Sequence, residues 1–231
     1  MAVFVVGYNV FAGVIGFMSM VDRYTTPLLT AQETARHLQI PPSTLNRWLA
    51  TPNEAPLVHA VQPAHRGWPR VPFVGIVEAY VLRSLRDIGL SMPAVEEAAE
   101  AVRRSFKDPY ALASQKIATD GVDIFLHLAD ETLARARDGQ APIREVIDDY
   151  LTFISWDEDG VAKSLRLRGY EGDASVVIDP RFAWGAPVIE QTRTPVSEVV
   201  SLWRAGDSIE EIAYEFELEP AAVEHVLQRA A

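Results

Sequence analysis

Residues 30–49 read TAQETARHLQIPPSTLNRWL, and this stretch decides the fold of the N-terminal half. Thr30 can cap a helix whose third position is Glu33, which is the capping-box arrangement. Pro41 and Pro42 can then open a second helix, because proline is tolerated in the first helical turn. The side chains that recur at helical spacing and face inward are Ala31, Thr34, Ala35, Leu38, Leu45, Trp48 and Leu49. The stretch therefore predicts a helix-turn-helix.

The outward side of the second predicted helix carries side chains that can contact DNA. The apolar spacing leaves Ser43, Thr44, Asn46 and Arg47 facing outward. Their hydroxyl, amide and guanidinium groups can bond to base edges and phosphates. We therefore predict that these four residues bind DNA. The alternative is a helical hairpin with an ordinary polar surface.

The segment that follows predicts a wing made of a β-hairpin. Val58–Val61 alternates as a strand does, Pro63–Arg70 has the composition of a loop, and Val71–Phe73 returns as a second strand. The predicted loop adds three DNA-binding candidates, which are His65, Arg66 and Arg70.

Two amphipathic helices are predicted after the wing, roughly over Val74–Ile88 and Met92–Phe106. Gly89 can end the first helix, and Ser91 can cap the second.

This order of elements resembles the winged-helix DNA-binding domain of MerR-type regulators. The resemblance is carried by LTAQETARHLQIPPSTLNRW, by the wing and by LRDIGLSMPAVEEA, over about residues 27–106. MerR-type proteins usually dimerise on inverted repeats and often sense a small ligand or a metal. The resemblance therefore implies a homodimer on double-stranded operator DNA. The chain has no cysteine and no long coiled coil, so we expect neither a cofactor nor a bound metal.

Charge divides the chain into two halves. The whole chain has a formal net charge of −11, which by itself argues against DNA binding. Residues 1–106 carry nine Lys/Arg and eight Asp/Glu, whereas residues 107–231 carry twelve and twenty-four. Residues 22–86 alone have a net charge of +3. The first half can therefore meet DNA, and the second half suits a different partner.

The middle of the chain predicts a small sheet with one helix against it. The predicted strands are Lys116–Thr119, Ile124–Leu128, Ala162–Arg168 and Ser175–Ile178, and the predicted helix is Pro142–Ile154. We interpret this region as a connector and dimerisation surface.

The C-terminal stretch begins IDPRFAWGAPVIEQTRTPVSEVV at Ile178 and continues to SIEEIAYEFELEPAAVEHVLQRAA. It resembles a three-helix domain, long described as of unknown function, that occurs in VapB-type antitoxins of VapBC toxin–antitoxin pairs. The segments that carry the resemblance are Asp179–Pro180, Gly185, Pro187–Ile189, Thr192–Val196 and Ala205–Ile212. Gln191 departs from the pattern, because the family usually has glycine there.

The VapB resemblance implies a protein partner. VapC toxins of these pairs are PIN-domain ribonucleases with an acidic, metal-binding active site. Other VapB-type antitoxins commonly place a C-terminal segment in that site, sometimes with an arginine. The candidate toxin-binding residues here are Arg193, Arg204 and Arg229.

A shift of 178 residues places the first helix-turn-helix on the C-terminal end. Thr30 then matches Ser208, and Glu33 matches Glu211. The outward residues differ, because Ser43, Thr44, Asn46 and Arg47 become Ala221, Ala222, Glu224 and His225. Residues 171–231 have a net charge of −8, which would repel phosphates. The second unit is therefore predicted to bind protein or to close the dimer.

Residues 1–20 contain no charged side chain. This length could span a membrane, but no basic flank precedes it and Asp22 follows it. We rank an extension from an upstream start first, with Met18 or Met20 as the working start. An ordered arm in an oligomer ranks second, and a membrane anchor ranks third.

We therefore predict a mainly α fold of the α+β class in four segments. They are an apolar arm or extension (1–24), a MerR-like winged helix-turn-helix (25–106), a mixed α/β connector and dimerisation region (107–175) and an antitoxin-type three-helix domain (176–231). The chain has no cysteine nucleophile, no phosphate-binding glycine loop and no GxSxG or HExxH motif, so we expect no catalysis.

The predicted function is that of a cytoplasmic homodimeric antitoxin. It would bind and neutralise a VapC-type toxin and repress their shared promoter by binding the operator. The alternative is a stand-alone MerR-like transcriptional regulator without a toxin partner.

Overall fold

The computed structural model describes residues 21–50, 56–121, 123 and 143–230. The apolar segment 1–20 and the predicted strand Ile124–Leu128 lie outside the described residues. Helices dominate the described chain, and two small antiparallel sheets accompany them. The predicted fold class is therefore confirmed.

The predicted helix-turn-helix is present. Strand β1 (Pro27–Leu29) leads into helix α1 (Ala31–His37), and helix α2 (Pro42–Leu49) follows after a tight turn. The predicted capping box is confirmed. The Glu33 amide donates to the Thr30 hydroxyl at 3.1 Å, and the Thr30 amide donates to the Glu33 carboxylate at 2.8 Å.

Two long helices complete the N-terminal unit close to the predicted bounds. Strand β2 (Val71–Pro72) leads directly into α3 (Phe73–Asp87), and α4 (Met92–Phe106) follows. The hydroxyl of Ser91 caps α4 by accepting from the Ala94 amide at 3.4 Å. Helix α3 is shifted by one residue from the predicted Val74–Ile88, and α4 has the predicted bounds.

The wing differs from the predicted β-hairpin. Val58–Val61 is not a strand, and β2 pairs with β1 instead. A single hydrogen bond, from the Val61 amide to the Arg70 carbonyl at 2.8 Å, spans the base of the loop. The reason is that the Val58 amide donates to the Trp48 carbonyl of α2, so the segment is bonded to helices rather than to a strand.

A four-stranded antiparallel sheet follows helix α5 (Ile143–Leu151). Its order is β3-β4-β5-β6, with β3 Ile154–Trp156, β4 Ala162–Arg166, β5 Val176–Ile178 and β6 Val188–Ile189. The pairing of β4 with β5 joins the segments on either side of residue 175, so the middle and the C-terminal unit share one sheet.

One predicted strand of the middle region is wrong. Residues Lys116–Thr119 lie in a helical turn that includes Ile117–Gly121. The Ile117 side chain is fully buried, and its amide donates to the Ser114 carbonyl at 3.0 Å. Local turn bonds therefore satisfy this backbone, and no strand partner is needed.

The C-terminal unit contains the three predicted helices. They are α6 (Val196–Ala205), α7 (Ile209–Glu215) and α8 (Pro220–Ala230). Gly206 ends α6 with φ of 107°, a left-handed conformation that favours glycine.

A buried charge cluster holds the N-terminal unit together. Twelve of the fifteen residues of α3 are buried, and Glu78 among them has no exposed surface. Its carboxylate accepts from the His59 amide at 2.8 Å and contacts the His59 ring at 2.8 Å. Arg103 of α4 donates to the same carboxylate at 3.0 Å and to the Leu57 carbonyl at 2.8 Å. The cluster thus ties the chain that follows α2 to both long helices.

Gly75 permits the close approach on which this cluster depends. A Cβ atom at this position would lie 2.2 Å from the backbone oxygen of His59. No side chain fits at that distance, so the loop lies directly against the α3 backbone.

We expect Glu78→Ala to lower the free energy of unfolding by about 3–5 kcal/mol. The substitution leaves the Arg103 guanidinium without its buried counter-charge and the His59 amide without an acceptor. Urea unfolding measures the loss, and Glu96→Ala on the exposed face of α4 is the control. A loss below about 1 kcal/mol for Glu78→Ala would contradict the role assigned to the cluster.

His37 at the end of α1 is mostly buried, and its Nδ1 atom has no hydrogen-bond partner among the described residues. Burial, with a smaller contribution from the neighbouring Arg36 charge, lowers the pKa of His37 from 6.5 to about 4. The folded protein therefore holds this imidazole neutral over a range in which the unfolded chain protonates it.

We expect His37 to make the free energy of unfolding fall between about pH 6.5 and pH 4. The unfolded chain takes up a proton in this window and the folded chain does not, so the loss reaches at most about 3 kcal/mol at the acid end. Urea unfolding of His37→Gln across this window should show a flatter pH dependence. The exposed His65→Gln should keep the slope of the parent protein, and equal slopes for all three proteins would contradict the assignment.

Candidate DNA interface and its acidic counterpart

Helix α2 presents the predicted DNA-binding residues on one side. Ser43, Asn46 and Arg47 are exposed and Thr44 is half-buried, while Leu45 and Trp48 on the opposite side are buried. Ser43, Thr44 and Arg47 line one open concavity of about 500 Å³. The buried side therefore fixes the rotation of the helix and leaves a polar surface free for contact.

Arg86 is a candidate that sequence reasoning missed. It lies in the last turn of α3, is exposed, and lines the same concavity together with Met92. Its guanidinium also donates to the Leu90 carbonyl, which holds the side chain at the α3–α4 turn. Arg86 belongs to the LRDIGLSM segment that resembles MerR-type regulators. The sequence does not indicate that this segment packs beside α2.

The wing loop places His65 and Arg66 at the surface. Both side chains are exposed, and Gly67 turns the loop with φ of 86°. Trp68, which sequence reasoning did not single out, is 56% exposed, and its ring packs edge-on against His65 with centroids 4.7 Å apart. The loop tip thus combines a cation with an exposed aromatic ring.

Arg70 occupies a different position from the other candidates. It is half-buried, and its Nη2 donates to the Leu49 carbonyl at 3.3 Å. Its amide donates to the Leu29 carbonyl at 3.0 Å. A cation at the C-terminal end of a helix is stabilised by the helix dipole. Arg70 therefore links the base of the wing to the end of α2.

The exposed arginines of this face are available for a ligand. Of the ion pairs formed within the described part of the chain, none involves Arg47, Arg66 or Arg86. Guanidinium groups that have no acidic partner among the described residues, and that lie beside hydroxyl and amide groups, suit a phosphate backbone and base edges.

The C-terminal unit repeats the scaffold of the first. The Glu211 amide donates to the Ser208 hydroxyl at 3.2 Å, and the Ser208 amide donates to the Glu211 carboxylate at 2.8 Å. The Ser208 amide and hydroxyl both donate to the Glu211 carboxylate at 2.8 Å, which holds the pKa of the Glu211 carboxyl below its ordinary value. Gln39 and Glu217, the equivalent turn residues, both have φ of 53°. The bond that closes the turn measures 2.8 Å in both units, from the amides of Ile40 and Leu218 to the carbonyls of Ala35 and Ala213.

The second unit cannot present α8 as the first presents α2. On its exposed side, Ala221 stands where the first unit has the polar Ser43, and the acidic Glu224 stands where it has the neutral Asn46. His225, the counterpart of Arg47, lies against the backbone of Gly172, where an added Cβ would be 2.9 Å from its Cε1. Charge and packing therefore both make this helix unsuited to DNA.

The three candidate toxin-binding arginines occupy separate places. Arg193 stacks on the ring of Phe182, with its Cζ 4.5 Å from the centroid. Arg204 is exposed in the last turn of α6, and Arg229 is exposed in the last turn of α8. The structure thus places them on different elements rather than in one cluster.

The second half also exposes large aromatic side chains that sequence reasoning did not use. Tyr214 is 88% exposed and Trp184 is 79% exposed, and Phe182 and Trp203 are exposed as well. Aromatic residues are enriched at protein interfaces relative to the rest of the surface.

No helix in the described portion of the chain is long and apolar enough to cross a membrane. Within the same residues, no group of three or more His, Asp or Glu side chains could hold a metal ion.

Known protein families match both the N-terminal and the C-terminal unit of the chain. The family described as "Putative DNA-binding HTH domain" matches residues 27–98, and the family described as "Protein of unknown function (DUF433)" matches residues 176–228. A curated relative, "Putative antitoxin VapB45" from Mycobacterium tuberculosis (strain ATCC 25618 / H37Rv), is 33% identical over 232 residues. The match covers 90% of this chain and 96% of the relative.

A solved structure has the same fold. The X-ray crystal structure of Rv2018 from Mycobacterium tuberculosis is 33% identical in sequence, with a TM-score of 0.75. The match covers 89% of this chain and 99% of that chain. Identity at this level along almost the whole relative shows common family membership. The chain therefore belongs to the VapB antitoxin family.

Proposed function

We propose that this protein is an antitoxin with two binding surfaces. Residues 25–106 bind operator DNA and repress the promoter that the protein shares with its toxin. Residues 176–231 bind and neutralise a PIN-domain ribonuclease, and residues 107–175 connect the two and form the dimer surface. The protein acts in the cytoplasm as a homodimer and has no catalysis of its own.

One observation carries the proposal: the chain builds the same helix-turn-helix twice with opposite surfaces. The caps and turns of the two units agree in bond and backbone angle. The first unit exposes Arg47 on its second helix, whereas the second exposes Glu224 and packs His225 inward. A shared scaffold with opposite charge supports two different partners.

The DNA half of the proposal rests on α2 and the wing. Ser43, Thr44, Asn46 and Arg47 contact base edges and phosphates, and His65 and Arg66 contact the neighbouring backbone. Arg70 positions the wing relative to α2, because its guanidinium donates to the Leu49 carbonyl at the end of that helix. A homodimer would place two such heads on half-sites about one helical turn apart.

The toxin half rests on family membership and on the exposed surface of the second half. The relative is named as an antitoxin, which requires a toxin partner. Arg193, Arg204 and Arg229 can each offer a guanidinium to an acidic ribonuclease active site. Exposed aromatic residues on the same half can supply the apolar contact of a protein interface.

We expect Arg47→Ala to weaken operator binding by about 1–3 kcal/mol, which is about 5- to 150-fold in Kd. The guanidinium is exposed and has no acidic partner among the described residues, so its contact with DNA is lost without loss of a fold contact. Gel shift with the upstream DNA of the gene measures the effect.

His225→Ala is the matched control, because it changes the equivalent position of the second unit. It should leave the shift unchanged. Equal binding by Arg47→Ala and the parent protein would remove Arg47 from the DNA contact set.

We expect an excess of the protein to abolish the ribonuclease activity of its cognate PIN-domain toxin and to restore growth on co-expression. Alanine substitution of Arg193, Arg204 or Arg229 should weaken inhibition at least tenfold for the arginine that enters the active site. Arg66→Ala in the wing should impair DNA binding and leave inhibition intact.

Unchanged ribonuclease activity at any excess of the protein would contradict the antitoxin function. Operator binding without inhibition would then identify the chain as a stand-alone regulator.

A further inference from the structure

The turn of the second helix-turn-helix borders an open acidic groove. The groove has a volume of about 640 Å³, and Glu210, Tyr214, Glu215, Glu217, Leu218 and Pro220 line it. No ion pair or side-chain hydrogen bond within the described residues involves its three glutamates or Tyr214. Carboxylates gathered without counter-charge repel one another, so a cationic ligand would be stabilised here.

In the first helix-turn-helix, an arginine side chain bonds to the equivalent turn. There, Arg83 of α3 donates to the Leu38 carbonyl, and its Nη2 lies 3.4 Å from the Gln39 side-chain oxygen. The guanidinium thus closes the turn by satisfying a free carbonyl and a side-chain acceptor at once.

The second turn has the same acceptors and lacks the arginine. Phe216 and Glu217 are the counterparts of Leu38 and Gln39, and the backbone angle of the turn residue is the same. The Phe216 carbonyl accepts no hydrogen bond from the part of the chain that the structure describes. Phe216 lines a neighbouring concavity that shares Glu215 and Glu217 with the acidic groove. Glu217 replaces a neutral amide with a carboxylate, which would bind a guanidinium more strongly.

From this comparison we infer that the acidic groove is a docking site for an arginine-bearing basic segment of the partner ribonuclease. The partner's guanidinium takes the place that Arg83 holds in the first unit and bonds to the Phe216 carbonyl and the Glu217 carboxylate. Tyr214, which is 88% exposed, packs its ring against the same segment. This inference rests on the proposed antitoxin function.

Charge complementarity identifies the occupant. A ribonuclease must bind the phosphates of its substrate, so it carries a basic, RNA-binding surface. Residues 171–231 have a net charge of −8 and would compete for that surface. The antitoxin would then block RNA binding as well as the active site.

The first unit supplies the variant that tests the groove. Glu215→His with Glu217→Gln installs the residues that the same scaffold carries as His37 and Gln39, so the fold is retained. The control, Glu158→Gln with Glu198→Gln, removes the same number of charges at exposed positions outside the groove. Glu217→Gln alone is the milder second variant.

Affinity of each full-length protein for the cognate ribonuclease is measured by calorimetry at low and high salt. We expect the groove double variant to bind at least about tenfold more weakly, with a shallower salt dependence, and Glu217→Gln to show part of the loss. The control should stay within about twofold of the parent protein, and operator binding should not change in any variant.

Each other outcome overturns the inference in a distinguishable way. Unchanged affinity of the double variant would remove the groove from the interface while leaving the antitoxin function intact. An equal loss in the control would show that overall charge acts and not this turn. A changed sedimentation of the double variant alone would assign the groove to a second copy of this chain. Absence of binding by the parent protein would refute the proposed function itself.

Discussion

The buried carboxylate of Glu78 is the constraint on which the DNA-binding head depends. It joins α3, Arg103 of α4 and the His59 segment in one set of hydrogen bonds. That segment follows α2 in the sequence, and its Val58 amide donates to the Trp48 carbonyl near the end of the helix. A charge buried among apolar side chains is costly unless it is paired. The pairing therefore specifies a single path for the chain beside α2, and with it the orientation of the exposed face.

The two helix-turn-helix units separate scaffold from surface. Their caps and turns agree in detail, because these features depend on residues only three or four positions apart. Their second helices differ in surface charge, and the middle region contacts His225 of α8 whereas Arg47 of α2 is exposed. Arg83 closes the first turn from α3, whereas Gln191, Thr192 and Thr194 border the second turn, and no arginine among the described residues bonds to it. One scaffold can thus serve DNA in one half and a protein partner in the other.

The middle region contacts both units. Gly169 lies so close to Gln39 of the first turn that an added Cβ would be 2.7 Å from its side-chain nitrogen. Gly172, three residues later, lies against His225 of α8. The sheet also shares strands with the C-terminal unit. The region predicted as a connector and dimerisation surface therefore packs between the two binding units, and glycine makes both approaches possible.

Local signals in the sequence determined the helices, their caps, the repeat and the division of charge, because each depends on residues within one or two turns or on composition. The outward position of Ser43, Asn46 and Arg47 followed from the same spacing. Only the tertiary structure decided that β2 pairs with β1 and not with the wing, that Arg86 joins α2, and that His225 is covered. These contacts link residues that are 39 to 53 positions apart, where no periodic pattern reports which groups meet. Packing between distant segments made those choices, and in the N-terminal unit the buried, paired Glu78 carboxylate of α3 fixes that packing.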